Sequence, residues 1–255
     1  MANIVRRVGS KVKCKFIYEY NNFRIMRDCK KIVKFKNAYE GKRCFIVGNG
    51  PSLTLEDLEK IRNEYCFGTH RVYQIFDKTQ WRPTFYCAQD YKLIQDSSDE
   101  ISRMDNENKF LGMVATNKYK NIAKATYIRM ILKPFYPELP LFSEDMLKGF
   151  YEGFTVTYMC LQLAIYMGFK EIYLIGVDHN YSIELNPDGT LKEDKSIKDH
   201  FSDDDKITNI PQTFKSTLAY ISAQKYAEKH NIMIYNLTRG GKLDAFPRKK
   251  LEEII

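Results

Sequence analysis

The sequence predicts an α/β protein: a doubly wound, mainly parallel sheet in a single domain, preceded by a basic N-terminal segment. Beyond Lys42, short apolar runs alternate with stretches of helical spacing, the pattern of βα units around a parallel core. The apolar runs are nearly continuous, as in strands buried on both faces. The first run, Arg43 to Val47, breaks into Gly-Asn-Gly-Pro-Ser and then a helical pattern, a strand–turn–helix junction. These observations divide the chain into residues 1–42 and a domain over residues 43–255.

Residues 1–43 hold 13 Lys/Arg against 3 Asp/Glu, while the whole chain carries +8, so the other 212 residues sum to −2. The basic groups interleave with Val, Ile, Phe and Tyr. Such a stretch suits an anionic membrane surface, or a helix or two packed on the domain with a wet basic face. Nucleic acid is not expected as a partner, because no nucleic-acid module accompanies the charge. A chain starting near Gly41 is expected to stay folded.

Strands are expected at Arg43–Val47, Tyr65–Thr69, Thr84–Cys87, Phe110–Ala115, Thr126–Met130, Glu171–Gly176 and Ile232–Tyr235. Helices are expected at Leu55–Glu64, Thr155–Met167 and Gln212–His230, with His230 reading as a cap. The polar stretch from Ser182 to Ile210 is long for a plain loop and reads as a lid. No apolar run approaches the ~20 residues that span a bilayer, and no signal-peptide core opens the chain. The six cysteines lack C-x-x-C or Cys/His ligand spacing, so reduced thiols, no metal site and a cytoplasmic setting are expected, peripheral at the inner membrane face if the basic segment binds lipid.

The turn after the first strand favours an anionic ligand. Gly48 and Gly50 let the backbone approach closely, Pro51 presets a helical φ, and Ser52 offers a capping hydroxyl. A helix start there would aim free N–H groups at a phosphate, and the Asn49 amide can read a sugar or base. Replacing Gly50 by Val is expected to weaken nucleotide binding and spare the fold. At other strand ends stand His70 and Arg71, then Gln89 and Asp90, then Asp178, His179 and Tyr181. In a doubly wound sheet these face one crevice with Asn49 and Ser52.

GNGPSL, the block GFTVTYMCLQLAIYMGFKEIYLIGVDHNY (residues 153–181) and YNLTRGGKLDAFPR (residues 235–248) resemble the 6-hydroxymethylpterin diphosphokinase-like domain family. The same blocks resemble the bacterial family-42 sialyltransferases and the related flagellin glycosyltransferases that use nonulosonic acid donors. The resemblance implies a Rossmann-like fold and, on the sialyltransferase side, metal-independent transfer from a CMP-linked sugar to a surface glycan or glycoprotein. Asn49, Ser52 and Thr155 would then contact the donor and Asp178 would lie near the ribose or base. His200 would be the general base, with His179 the understudy. Where the sialyltransferases carry acceptor-side asparagines this chain has His70 and Cys87.

The pterin diphosphokinase alternative needs Mg²⁺, for which Asp90 and Asp178 are the candidate carboxylates, and a flat pocket for which Tyr73, Phe85 and Tyr86 are the candidate walls. A third alternative is a non-catalytic nucleotide-binding subunit. A homo-oligomer is compatible with each.

Overall fold

The computed structural model describes residues 2–201 and 209–255, with side chains described from Val12 onward, Cys29 apart. Residues 202–208, part of the expected lid, lie outside the described residues. The chain opens with α1 (Ala2–Ile32), followed by a 3₁₀ turn at Val33–Phe35. The βα alternation then runs β1 (Arg43–Val47), α2 (Leu55–Lys60), β2 (Cys66–Thr69), β3 (Phe85–Ala88), α3 (Tyr91–Asp96), α4 (Ser98–Arg103), β4 (Lys109–Met113) and β5 (Ala125–Ile131). It continues with β6 (Phe150–Tyr151), α5 (Val156–Tyr166), β7 (Glu171–Ile175), the hairpin β8 (Ile183–Leu185) and β9 (Leu191–Glu193), α6 (Thr213–Lys229) and β10 (Met233–Asn236).

Eight strands form one parallel sheet in the order β10-β7-β1-β2-β3-β4-β5-β6. From β1 the chain builds outward to β6, then crosses through α5 to lay β7 on the other side of β1. The sheet order therefore reverses between β1 and β7, the place where ligands bind in open α/β sheets. This is the expected Rossmann-like architecture.

Alternation along each strand splits the core. Cys44, Ile46, Phe67, Phe85, Leu174 and Ile234 pack under α5 and α6, while Phe45, Val47, Cys66, Tyr86, Tyr173 and Ile175 pack with Leu58, Leu93, Ile101 and Trp81 on the opposite face. Both faces being covered explains the continuous apolar runs.

Boundaries shift where side chains find partners. β4 starts one residue early because buried Lys109 donates to the carbonyls of Ser102 (3.1 Å) and Ala123 (3.3 Å). It stops at Met113 because the Val114 amide donates to the Tyr119 hydroxyl (2.9 Å) and the Ala115 carbonyl takes the Asn21 amide (2.8 Å). Part of the expected lid is the β8–β9 hairpin, closed over Asn186–Thr190 with Gly189 at φ 84°.

α1 is docked on the sheet through its C-terminal half. Asn21, Arg24, Ile25, Asp28 and Ile32 are buried; the Asp28 carboxylate accepts the Tyr127 amide (2.9 Å), and the Arg24 guanidinium lies 4.2 Å from the Tyr127 ring centroid. Ile25 joins one core cluster, and Ile32 with Phe35 joins the other. The five cysteines with described side chains are free thiols, four of them buried. Among the described residues no helix is long and apolar enough to cross a membrane.

Candidate functional site

A cavity of about 880 Å³ opens at the carboxyl ends of the strands, at the β1/β7 reversal. That is near the upper end of small-molecule sites. Gly48, Asn49 and Gly50 after β1 line it, with His70 after β2, Gln89 and Asp90 after β3, and Asp178 to Tyr181 after β7. His200 completes the set, carried by a segment tied to the turn through Phe201 N–H to the Asn49 carbonyl (2.9 Å).

Three expected residues lie elsewhere. Pro51, Ser52 and Arg71 are not in the lining; Ser52 spends its hydroxyl on Asp178 Oδ2 (2.7 Å), and Arg71 sits beside Tyr73 and Asp96. Nor does Ser52 cap the helix. Thr54 does, in a reciprocal box with Asp57, so the six-residue α2 satisfies its own first turn. The helix start that does border the cavity is that of the 11-residue α5, through Thr155, Val156 and Thr157. Thr155 caps it, accepting the Thr157 amide (3.3 Å) and pairing with the Tyr220 hydroxyl (3.1 Å).

Gly50 answers to the protein itself. A Cβ there would fall 1.9 Å from Asp178 Oδ2, and at Gly48 2.3 Å from the Gly176 carbonyl oxygen. Backbone bonds from Gly48 to Ile175 (2.9 Å) and Gly50 to Gly176 (2.8 Å) stitch the two loops together. The expectation that Gly50→Val spares the fold is therefore corrected: the valine displaces Asp178 first. Burial raises the Asp178 carboxyl above its ordinary range, opposed by the Ser52 hydrogen bond.

Among the described residues, three buried amide oxygens in the lining, those of Asn49, Gln89 and Asn180, have no hydrogen-bond partner. Asn49 gives its N–H to the Thr69 carbonyl (3.0 Å) and Gln89 gives its N–H to the Glu152 carbonyl (3.2 Å), which fixes both amide orientations. Asn49 Oδ1 and Gln89 Oε1 then have no hydrogen-bond partner among the described residues. Each is an acceptor whose desolvation is already suffered, so it favours a ligand with O–H or N–H donors.

His179 is buried, at φ 52°, with its ring edge-on to Tyr220 and Nε2 2.7 Å from Thr217 Oγ1. Thr217 donates its own proton to the Thr213 carbonyl (2.8 Å), so His179 donates through Nε2–H and keeps its lone pair on Nδ1. Burial lowers its pKa to about 4, which leaves it neutral and a weak base at physiological pH. His200 is half-buried in the cavity wall.

Sequence reasoning missed Glu152, Asn180, Thr157 and Tyr220, all in the lining. Burial raises the Glu152 carboxyl. The candidate pterin walls are corrected: Phe85 and Tyr86 are core residues, the Tyr86 hydroxyl donating to the His70 carbonyl (2.6 Å), and Tyr73 is not in the lining. The cavity aromatics are instead Tyr91, Phe154, Tyr181 and Tyr220.

Three of the cavity carboxylates already have partners in the protein. Asp90 caps α3 through Leu93 N–H (2.8 Å) and takes the Asn209 amide, Asp178 takes Ser52, and Asp199 takes the Ser182 amide (2.6 Å) and hydroxyl (2.5 Å). Among the described residues no three His, Cys, Asp or Glu form a metal-holding group.

The family model for 6-hydroxymethylpterin diphosphokinase MptE-like proteins matches residues 18–184. The chain belongs to that family. A comparison with curated proteins found no match. The MptE-like match begins inside α1 and ends in β8, so it takes in the strand-end residues of the cavity from Gly48 to Tyr181 and stops short of His200 and α6.

Proposed function

We propose that this MptE-like protein is a metal-independent glycosyltransferase whose donor is a cytidine monophosphate sugar of the nonulosonic acid class, and whose acceptor is a surface glycan or glycoprotein. The observation that carries the proposal is the meeting of two features in one cavity: the first turn of α5, and the oxygens Asn49 Oδ1 and Gln89 Oε1, which have no partner among the described residues. A helix start takes a phosphate; the amide oxygens take the hydroxyl or amino donors of a sugar or base. No Lys or Arg stands among the described lining residues, which suits one phosphodiester better than a triphosphate.

In the transfer step the acceptor oxygen bonds to the anomeric carbon as the bond from that carbon to the phosphate oxygen breaks. CMP leaves with the electron pair, its charge met by α5, and the acceptor proton passes to His200. His179, fixed through Thr217, positions the β7 loop that carries Asp178.

The test is release of CMP from a CMP-linked nonulosonic acid by the full chain in the presence of a chelator. His200→Ala should lower turnover about 10²–10⁴-fold with donor affinity little changed. Loss in His179→Ala but not in His200→Ala would move the base to the strand end. A second reading, diphosphoryl transfer to a pterin, is favoured by the family match. It predicts turnover that depends on ATP and Mg²⁺ and indifference to cytidine nucleotides.

A further inference from the structure

α1 presents two opposite faces. Its inward face, Asn21, Arg24, Ile25, Asp28 and Ile32, is buried on the sheet. At 100° per residue, Val12, Phe16, Tyr20, Phe23 and Met26 fall on the far side within one stripe. All five are exposed, Phe16 to 69%, Phe23 to 65% and Met26 to 68%. A helix already docked by one face has no folding reason to display a second apolar stripe to water, and a contiguous exposed patch marks an interaction surface.

Charge identifies the occupant. Lys13, Lys15, Arg27, Lys30 and Lys31 are exposed along the same helix, and Glu19 is the lone acidic group on the outward side, held by Lys15 at 3.9 Å. Asp28, the other acid of this half, is buried and meets Arg27 and Lys31 at 3.2 Å each. A second copy of the chain would set this basic rim against itself. A basic rim around Phe, Tyr and Met suits the headgroup layer of an anionic bilayer, where apolar side chains enter the acyl boundary and the cations meet lipid phosphates.

We infer that α1 is an in-plane membrane anchor, docking the protein on anionic lipid through the Val12–Phe16–Tyr20–Phe23–Met26 stripe while its inward face stays on the sheet. The two faces make binding compatible with the folded domain.

The full chain is mixed with phosphatidylglycerol/phosphatidylcholine vesicles and, separately, with phosphatidylcholine vesicles, and sedimented at low and high salt. Binding to the anionic vesicles alone is expected, falling at least tenfold near 1 M salt, where the screening length is ~3 Å. F16N/F23N should lose at least tenfold of this binding with an unchanged melting temperature, since both side chains are exposed, and Lys13→Glu/Lys15→Glu should do the same. Three results overturn the inference: no sedimentation with anionic vesicles at low salt, wild-type binding by F16N/F23N, or conversion of a wild-type dimer to a monomer by F16N/F23N, which would make the stripe a contact between copies.

Discussion

Asn49 and Gln89 each give the N–H side of their amide to the protein, and their oxygens have no partner among the described residues. Gln89→Met keeps the volume and removes the waiting acceptor. Its net hydrogen bond is worth about 0.5–1.5 kcal/mol, so donor affinity measured by calorimetry should fall about 2–10-fold, and loss of the amide bond to the Glu152 carbonyl should also lower the melting temperature of the free protein. Equal affinities would show that Oε1 meets no ligand donor. Gly50→Ala should cost about 1–3 kcal/mol of stability by driving a Cβ against Asp178, and Asp178→Ala in the same chain should recover part of it, a coupling that urea unfolding of the double-mutant cycle reads directly. Additive losses would mean that the two residues do not collide. His179 adds a pH dependence. Its folded value, about 4, lies below the ordinary ~6.5, so the unfolded chain binds the proton first and stability is withdrawn as pH falls from about 6.5 to about 4. Asp178 and Glu152, raised by burial, act in the opposite sense, but equally in a variant that leaves them in place. His179→Asn, which tolerates φ 52°, should therefore lose melting temperature less steeply on acidification than the wild type. Parallel curves would contradict the buried, neutral imidazole.

At the scale of elements, the helix start that borders the cavity and the helix that completes the core are not the ones the turn motif points to. GNGPSL reads as a helix N-terminus, yet T-L-E-D at residues 54–57 carries its own capping box, a signal present in the sequence that closes α2 to a ligand. The α5 cap, Thr155, follows Gly153 and Phe154, both at positive φ, a conformation that no hydrophobic period reveals. The β8–β9 hairpin also left a trace, Asn-Pro-Asp-Gly-Thr between two short alternating runs. Polarity hid it. β6 could not be read at all, because two residues hold no periodicity, and Glu152 was lost with it. α1 corrects the expectation that the chain folds from Gly41. Removing residues 1–40 deletes Ile25, Ile32 and Phe35 from the core, each worth about 1.5–3 kcal/mol, a total comparable with the whole stability of a domain. Far-ultraviolet dichroism of that truncation should show an unfolded or aggregated chain; a cooperative melt near the wild-type temperature would contradict the docking of α1.

Across the whole molecule, the parallel order of the sheet and its double covering were legible because strands buried on both faces leave unbroken apolar runs, and the convergence of Asn49, Gln89, Asp90, Asp178 and His179 followed from that topology. What topology alone does not fix is which polar groups remain unsatisfied after folding: Ser52, Asp178 and Asp90 turned toward the protein, while Asn49 and Gln89 kept an acceptor for the cavity. That division is the basis of the proposal that the cavity takes a sugar nucleotide. The most direct test is a thermal shift of the full chain with CMP in excess chelator, beside ATP with Mg²⁺. A ligand at about 100 times its dissociation constant adds about 2.7 kcal/mol, or about 5–10 °C for a chain of this size. The account predicts that rise with CMP in chelator, diminished in Gln89→Met. A rise with ATP and Mg²⁺ and none with CMP would contradict it.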